Sequence, residues 1–278
     1  MKLTSGQEQR INELDIFGEY EDSTDREFSS ARQRDKFFEK VENELVNKNK
    51  ARLKKLTREK FASDLRNLEG NMRSVLQEIN FTEVVTPIKL ARGHLENMGI
   101  DKDHPLWQQV YWLEGKNHCL RPMHAPHLYS ILGRFEKTLA KPISIFEVGP
   151  CFRRESSGRE HISEFTMLNL VELAPKKEPA SRLEEIVEEI LGSLAIEYEL
   201  CREESNVYGE TFDVLVNDME VGSGAVGPHE LDEAWDISDS WAGIGFGLER
   251  LIMARDEMQN ITRIGRSLIY QDGARLNV

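Results

Sequence analysis

Apolar residues recur at helical spacings through the first quarter of the chain. Ile11, Leu14 and Phe17, then Phe37, Phe38, Val41 and Leu45, then Leu53, Leu56, Phe61, Leu65 and Leu68 stand between charged residues. A stripe of that period puts one apolar face on a helix. No proline interrupts residues 1–70, and Gly70 offers a break. Beyond Arg73 the period changes. The stretch "MRSVLQEINFTEVVTPIKL" reads as the end of a helix, a turn at Asn80, and a strand through Val84 and Val85 closed by Pro87. The aromatic and β-branched "QVYWLEG" (109–115) predicts a further strand. Leu128, Ile131, Leu132, Phe135 and Leu139 mark one helix face, stopped by Pro142.

Two strand-like runs, "ISIFEVGPCFRRE" and "SEFTMLNLVEL", flank a polar turn, so Ile143 to Leu173 is expected to form a long hairpin. In "SRLEEIVEEILGSLAI" the stripe Leu183, Ile186, Val187, Ile190, Leu191 and Leu194 predicts a helix, and Ser181 with Glu184 matches a capping box. "TFDVLV" and "MEVGSGAVGP" read as strands, and "WAGIGFGLERLIMARDEM" passes from alternation to helical spacing. Short turns join most of these strands. That favours an α+β fold, an antiparallel sheet with flanking helices, over a doubly wound one.

At 278 residues the chain holds one large domain or one domain with a small appendage. The expected division is a helical segment over 1–70 and a main domain over 71–278. No apolar run reaches the roughly 18 residues of a membrane span, and the N-terminus lacks the apolar stretch of a secretory signal. Cys119, Cys151 and Cys201 lie far apart without a zinc-ligand spacing, which points to a reduced, cytoplasmic setting. His118, His124 and His127 are close in sequence, but no carboxylate or thiol completes a metal set. The net charge of −13 argues against a protein that coats nucleic acid over its whole surface. A local exception runs from Arg32 to Lys60, where 11 Lys/Arg face 5 Asp/Glu. This stretch is either a solvated helix face or a phosphate-contacting one.

The candidate chemistry lies in two places. In "GIGFGLERL", Gly243, Gly245 and Gly247 alternate with larger residues, so all three fall on one face of a strand. A strand face without side chains marks either close approach by a ligand or a tightly packed junction. The spacing is not that of a dinucleotide-binding loop. The second place is "CFRRESSGREHISEF", a cationic hairpin with Phe165 on its return strand. An arginine fork matches phosphate oxygens, and an aromatic ring can stack on a base.

Together these segments resemble the three motifs of the class II aminoacyl-tRNA synthetases. "NFTEVVTP" is similar to motif 1, "FRRES…HISEF" to motif 2 and "GIGFGLER" to motif 3. The likeness extends through "LRPMHAPHLYSIL", "VYGETFDV" and "SGAVGP", over about residues 70–278, to the catalytic domain of the pyrrolysyl-tRNA synthetase family, in the branch without the N-terminal tRNA-binding domain. Two rival readings are a class II synthetase for another large amino acid and a non-catalytic paralogue that binds tRNA.

The resemblance implies an ATP-dependent ligase that forms an aminoacyl-adenylate and passes the aminoacyl group to its cognate tRNA, as a homodimer built on motif 1. ATP and Mg²⁺ are implied with it. Residue by residue, it implies that Arg153 binds the α-phosphate and the incoming carboxylate, that Glu155 reads the adenine amino group, and that Phe165 and Arg250 sandwich the base. His161 falls near the triphosphate and Ile162 beside the base. Glu220 and Ser223 match the Mg²⁺ positions, and a carboxylate with a hydroxyl suits a hard cation. Asn169 matches the reader of the substrate's side-chain amide and Tyr208 the residue capping the pocket. Ala125, Leu128, Tyr129, Leu132, Val171, Ala225 and Trp241 match wall and floor positions, though without the resemblance they read as ordinary core. His124 and His127 stand where the family pattern leads one to expect Leu and Asn.

Overall fold

The computed structural model describes residues 1–21, 25–60, 62–154, 158–205 and 209–278. Two helices open the chain, α1 (Ser5–Leu14) and α2 (Ala31–Lys55). A single π-helical turn, Leu56–Lys60, leads towards α3 (Asp64–Glu78). Asn80 then takes the left-handed conformation, φ 67°, which its short polar side chain tolerates at a turn. There follow β1 (Thr82–Glu83), β2 (Lys89–Ala91), α4 (Arg92–Glu96), α5 (Pro105–Gln109), β3 (His118–Leu120) and α6 (Ala125–Phe135). The second half runs β4 (Ile143–Phe152), β5 (Glu164–Leu173), α7 (Pro179–Ser193), β6 (Glu199–Ser205), β7 (Gly209–Val216), β8 (Met219–Gly227), β9 (Trp241–Gly247) and α8 (Leu248–Arg255), closing on β10 (Tyr270–Gln271) and β11 (Ala274–Arg275).

The central sheet has the order β1-β4-β5-β9-β8-β7-β6. Every pairing in it is antiparallel except β1 on β4. The expected hairpin forms over its full length, from Ile143 opposite Leu173 to Phe152 opposite Glu164.

Strand alternation gives the sheet two faces with different tasks. Leu168, Leu170, Phe212, Val214, Ile244 and Phe246 point to the face covered by α3, α7 and α8, where they share one buried cluster with Leu68, Met72, Leu183, Ile186 and Ile252. The opposite face carries Val171, Ala225 and Trp241, which meet Leu128, Tyr129 and Leu132 of α6. A third, smaller cluster holds α1 against α2 through Ile11, Leu14, Val41 and Leu45. This N-terminal layer is tied to the C-terminal end. Buried Asn49 donates to the Leu14 and Leu45 carbonyls, at 2.8 Å each, and accepts from the Arg275 backbone N–H at 2.7 Å. Arg263 donates to the Asp15 and Asn12 carbonyls. Among the described residues no helix is long and apolar enough to cross a membrane.

Several local expectations need correction. Gly70 does not break the first helical region. It sits exposed within α3, where no neighbour lies within 4 Å of an added Cβ and the buried stripe of Leu65, Leu68, Met72 and Leu76 carries the helix through. The run at 109–115 is not a regular strand. Gln109 ends α5 and only Trp112 bridges to Cys119, while its ring packs on Trp107 with centroids 4.4 Å apart. The helix predicted to reach Leu139 ends at Phe135, leaving Leu139 on the surface. Pro179 starts α7 earlier than a Ser181 cap requires, and the Glu178 carboxylate accepts from the Ser181 N–H at 2.9 Å.

Candidate active site

The sheet face turned towards α6 is built row by row from the strand register. Glu147, Asn169, Gly245, Ser223 and Asp213 lie side by side on β4, β5, β9, β8 and β7. The next row is Ile145, Val171, Gly243, Ala225 and Thr211. Cross-strand partners share a face, so the glycines of β9 leave a trough along the middle of the sheet. A cavity of about 350 Å³ occupies it.

Glu220 and Ser223 both line this cavity. Simple alternation would send residues three apart to opposite faces. The register shifts between Val214 and Leu215, so Gly222 pairs with Val214 while Glu220 pairs with Leu215. The extra residue, Val221, turns into the core, and this bulge brings both polar side chains to the same side. Ser223 Oγ donates to Asp213 Oδ1 at 2.6 Å, which adds a second carboxylate at this end.

The cationic end is held by backbone. Arg153 follows β4 and keeps its ladder through an N–H bond to the Ser163 carbonyl, 3.0 Å. Its Nε donates to the Pro122 carbonyl at 3.0 Å, and its guanidinium carbon lies 5.3 Å from the centre of the Phe165 ring. Arg250 donates from Nη1 to the Glu220 carbonyl at 3.3 Å, and its Nη2 is 3.2 Å from His161 Nδ1. Arginine has no acceptor, so His161 Nδ1 accepts this bond and any ring proton sits on Nε2. The start of α8 is fixed by Glu249, which accepts from the Thr166 N–H at 2.8 Å and from its hydroxyl at 3.0 Å. Burial pushes the Glu249 carboxyl above its usual range.

The apolar end lies under α6. Ala125, Leu128, Tyr129, Val171, Ala225 and Trp241 line it with Asn169. Tyr129 and Trp241 meet edge to face, centroids 5.1 Å apart. Gly245 is what makes room for Asn169: a Cβ there would stand 2.3 Å from Asn169 Nδ2. Below the floor is a buried polar group. Arg121 Nη1 meets Glu147 Oε1 at 2.6 Å, and Thr86 donates its hydroxyl to Glu147 Oε2 at 2.6 Å and its N–H to Oε1 at 3.1 Å.

Of the residues expected from the sequence, Arg153, His161, Ile162, Phe165, Glu220, Ser223 and Arg250 gather at the cationic end. Leu132 is fully buried in the cluster behind the wall and does not line the cavity. Glu155 and Tyr208 lie outside the described residues. Among the described residues, those that line the cavity without having been anticipated include Met123, Glu160, Met167 and Thr211. Met167 shares its parity with Phe165 and Asn169, which is a signal the sequence held. Thr211 depends on the β7–β8 register, which it did not hold.

The family described as the tRNA synthetases class II core domain (F) matches residues 46–273. Two solved structures align with the whole chain. The crystal structure of pyrrolysyl-tRNA synthetase from Desulfitobacterium hafniense is 45% identical with a TM-score of 0.91, over 100% of this chain and 99% of that one. Desulfitobacterium hafniense PylSc, a pyrrolysyl tRNA synthetase, is 44% identical with a TM-score of 0.89, over 100% of this chain and 98% of that one.

Proposed function

The chain belongs to the class II tRNA synthetases, in their pyrrolysyl branch, and from that membership we propose that it joins pyrrolysine to its cognate tRNA through an aminoacyl-adenylate. One observation carries this reading. A single cavity joins a cationic, aromatic end to an apolar trough that finishes at one amide side chain, Asn169. Pyrrolysine is a lysine extended by an amide and a methyl-pyrroline ring, and its shape and polarity follow the same order. The test is ATP–pyrophosphate exchange with pyrrolysine against the twenty standard amino acids. Exchange above background with pyrrolysine alone is expected. A standard amino acid exchanging better would reassign the substrate.

In the first step the amino-acid carboxylate attacks the ATP α-phosphorus and pyrophosphate leaves. In the second the tRNA terminal ribose hydroxyl displaces AMP. Negative charge grows on phosphate oxygens, so positioned cations matter more than an acid or base. Arg153 faces the α-phosphate and carboxylate, Arg250 and Phe165 hold adenine, and His161 and Ile162 sit beside them. Glu155 is assigned to the adenine amino group. Glu220 and Ser223 would hold Mg²⁺, with Asp213 behind Ser223. This donor set fits, because Mg²⁺ on a nucleotide needs only one or two protein carboxylates and takes its other oxygens from phosphate and water. The ion would neutralise triphosphate charge. Tyr208 is assigned as the cap of the amino-acid pocket. A homodimer would form along the sheet edge at motif 1, where Val85 is 90% exposed and Ile88 44%.

Gly245→Ala is expected to lower activation of the amino acid by about 10- to 100-fold, because the new Cβ expels Asn169 and removes one buried hydrogen bond of about 1–3 kcal/mol. The KM for ATP should stay near its original value. Amino-acid kinetics within threefold of the original would count against the Asn169 assignment.

The basic stretch supports a tRNA-contacting role for residues 1–70. Lys48 is committed to Glu19 and Glu44, and Arg52 to the Asp272 carbonyl and Asp64, so these two hold the layer together. Lys50, Lys54, Lys55 and Arg58 are exposed. Changing these four to Gln is expected to weaken tRNA charging and flatten its salt dependence, by about 0.7–0.9 in log–log slope for each phosphate no longer neutralised. Pyrophosphate exchange should be unaffected. A parallel fall in both reactions would make the stretch structural, and no fall in either would send the tRNA elsewhere.

A further inference from the structure

His124 sits immediately before α6, fully buried, between the wall of the cavity and β4. Its Nδ1 is 3.2 Å from Asn169 Oδ1, and its Nε2 is 3.8 Å from Cys151 Sγ. Gly149 leaves the space for this packing. A Cβ on Gly149 would stand 2.6 Å from Arg121 Nη2 and 3.5 Å from His124 Nε2.

We infer that His124 is a positioning residue for the Asn169 amide: it donates from Nδ1 to Asn169 Oδ1 and so turns the Asn169 N–H donors towards the cavity, committing the pocket to a carbonyl-type acceptor on the substrate side chain. The inference rests on the reading of this cavity as the amino-acid pocket.

The direction of the chain of bonds follows from its far end. A neutral imidazole has one N–H and one lone pair. Burial, with the Arg121 charge nearby, lowers the His124 pKa to about 3, so the ring is neutral. Burial pushes the Cys151 thiol up to about 12, so it keeps its proton and can donate it. The Arg121 guanidinium and His124 Nε2 flank the same point beside Gly149, so that charge is nearer Nε2, where a lone pair is favoured over an N–H. Nε2 therefore accepts and Nδ1 carries the proton. Asn169 Oδ1 is thereby engaged on the His124 side, and the Nδ2 donors are the groups left turned to a ligand. An apolar residue at 124 would remove this bond, and nothing on the His124 side would then hold the Asn169 amide in this orientation.

The test compares Nε-butanoyl-lysine with 2-aminoundecanoic acid, a side chain of the same length without the amide, in pyrophosphate exchange. The original chain should favour the acyl-lysine. His124→Leu should shrink that preference at least tenfold, with the loss confined to the acyl-lysine. His124→Asn, whose amide N–H can take the place of Nδ1, should keep it within about threefold. Nitrogen-15 NMR of the labelled imidazole in the unsubstituted protein should show His124 protonated on Nδ1. A preference retained in His124→Leu, or an Nε2-protonated ring, would overturn this inference alone. Equal activation of both amino acids by the original chain would overturn the amide-reading pocket and the inference with it.

Discussion

Replacing Arg153 by Ala is expected to slow adenylate formation about 10²- to 10³-fold, or about 2.7–4 kcal/mol, the usual loss for one preorganised donor at a developing anion. The structure gives the reason for preorganisation. Arg153 Nε is fixed by the Pro122 carbonyl at 3.0 Å, and the guanidinium lies 5.3 Å from the Phe165 ring centre. One edge of the fork is thus anchored, and the remaining N–H groups do not have to be ordered when phosphate charge grows. Pyrophosphate exchange measured with saturating ATP checks it. A rate within threefold of the original would remove Arg153 from the reaction.

Arg121→Met should destabilise the protein by about 3–5 kcal/mol, the cost of leaving one partner of a buried ion pair without the other. Arg121 and Glu147 are each only 2% exposed. The guanidinium also donates from Nε to the Pro150 carbonyl at 2.9 Å and from Nη1 to Thr86 Oγ1 at 3.1 Å. It therefore joins the motif 1 segment to β4 beneath the cavity floor. Removing the carboxylate as well, in Arg121→Met with Glu147→Leu, should recover part of the loss, because no uncompensated charge remains. Equilibrium denaturation of the three proteins reads both effects. A loss below about 1 kcal/mol in the single variant, or full additivity in the double, would contradict this account of the floor.

Much of the site could be read from the chain because strand alternation and short motifs are local properties. The Ile143–Leu173 hairpin and the glycine face of β9 follow from parity alone, and so does the shared face of Phe165 and Asn169. What escaped was set by pairing between strands. Residues 220 and 223 meet only because the register shifts beside Val214. Nothing local pairs Gly245 with Asn169, places Cys151 beside His124, or joins Arg121 to Glu147 across 26 residues. The run at 109–115 misled for the opposite reason. Its composition is that of a strand, but only Trp112 of the run makes a bridge, and its ring packs on Trp107 of α5.

If this cavity makes pyrrolysyl-adenylate and hands it to tRNA, the intermediate can be isolated on the enzyme. Enzyme, ATP, Mg²⁺ and pyrrolysine, mixed without tRNA and passed through a desalting column, should yield bound adenylate in proportion to sites. A chase with the cognate tRNA should move the aminoacyl group to the terminal ribose and release AMP. Adenylate formed from a standard amino acid but not from pyrrolysine would contradict the account.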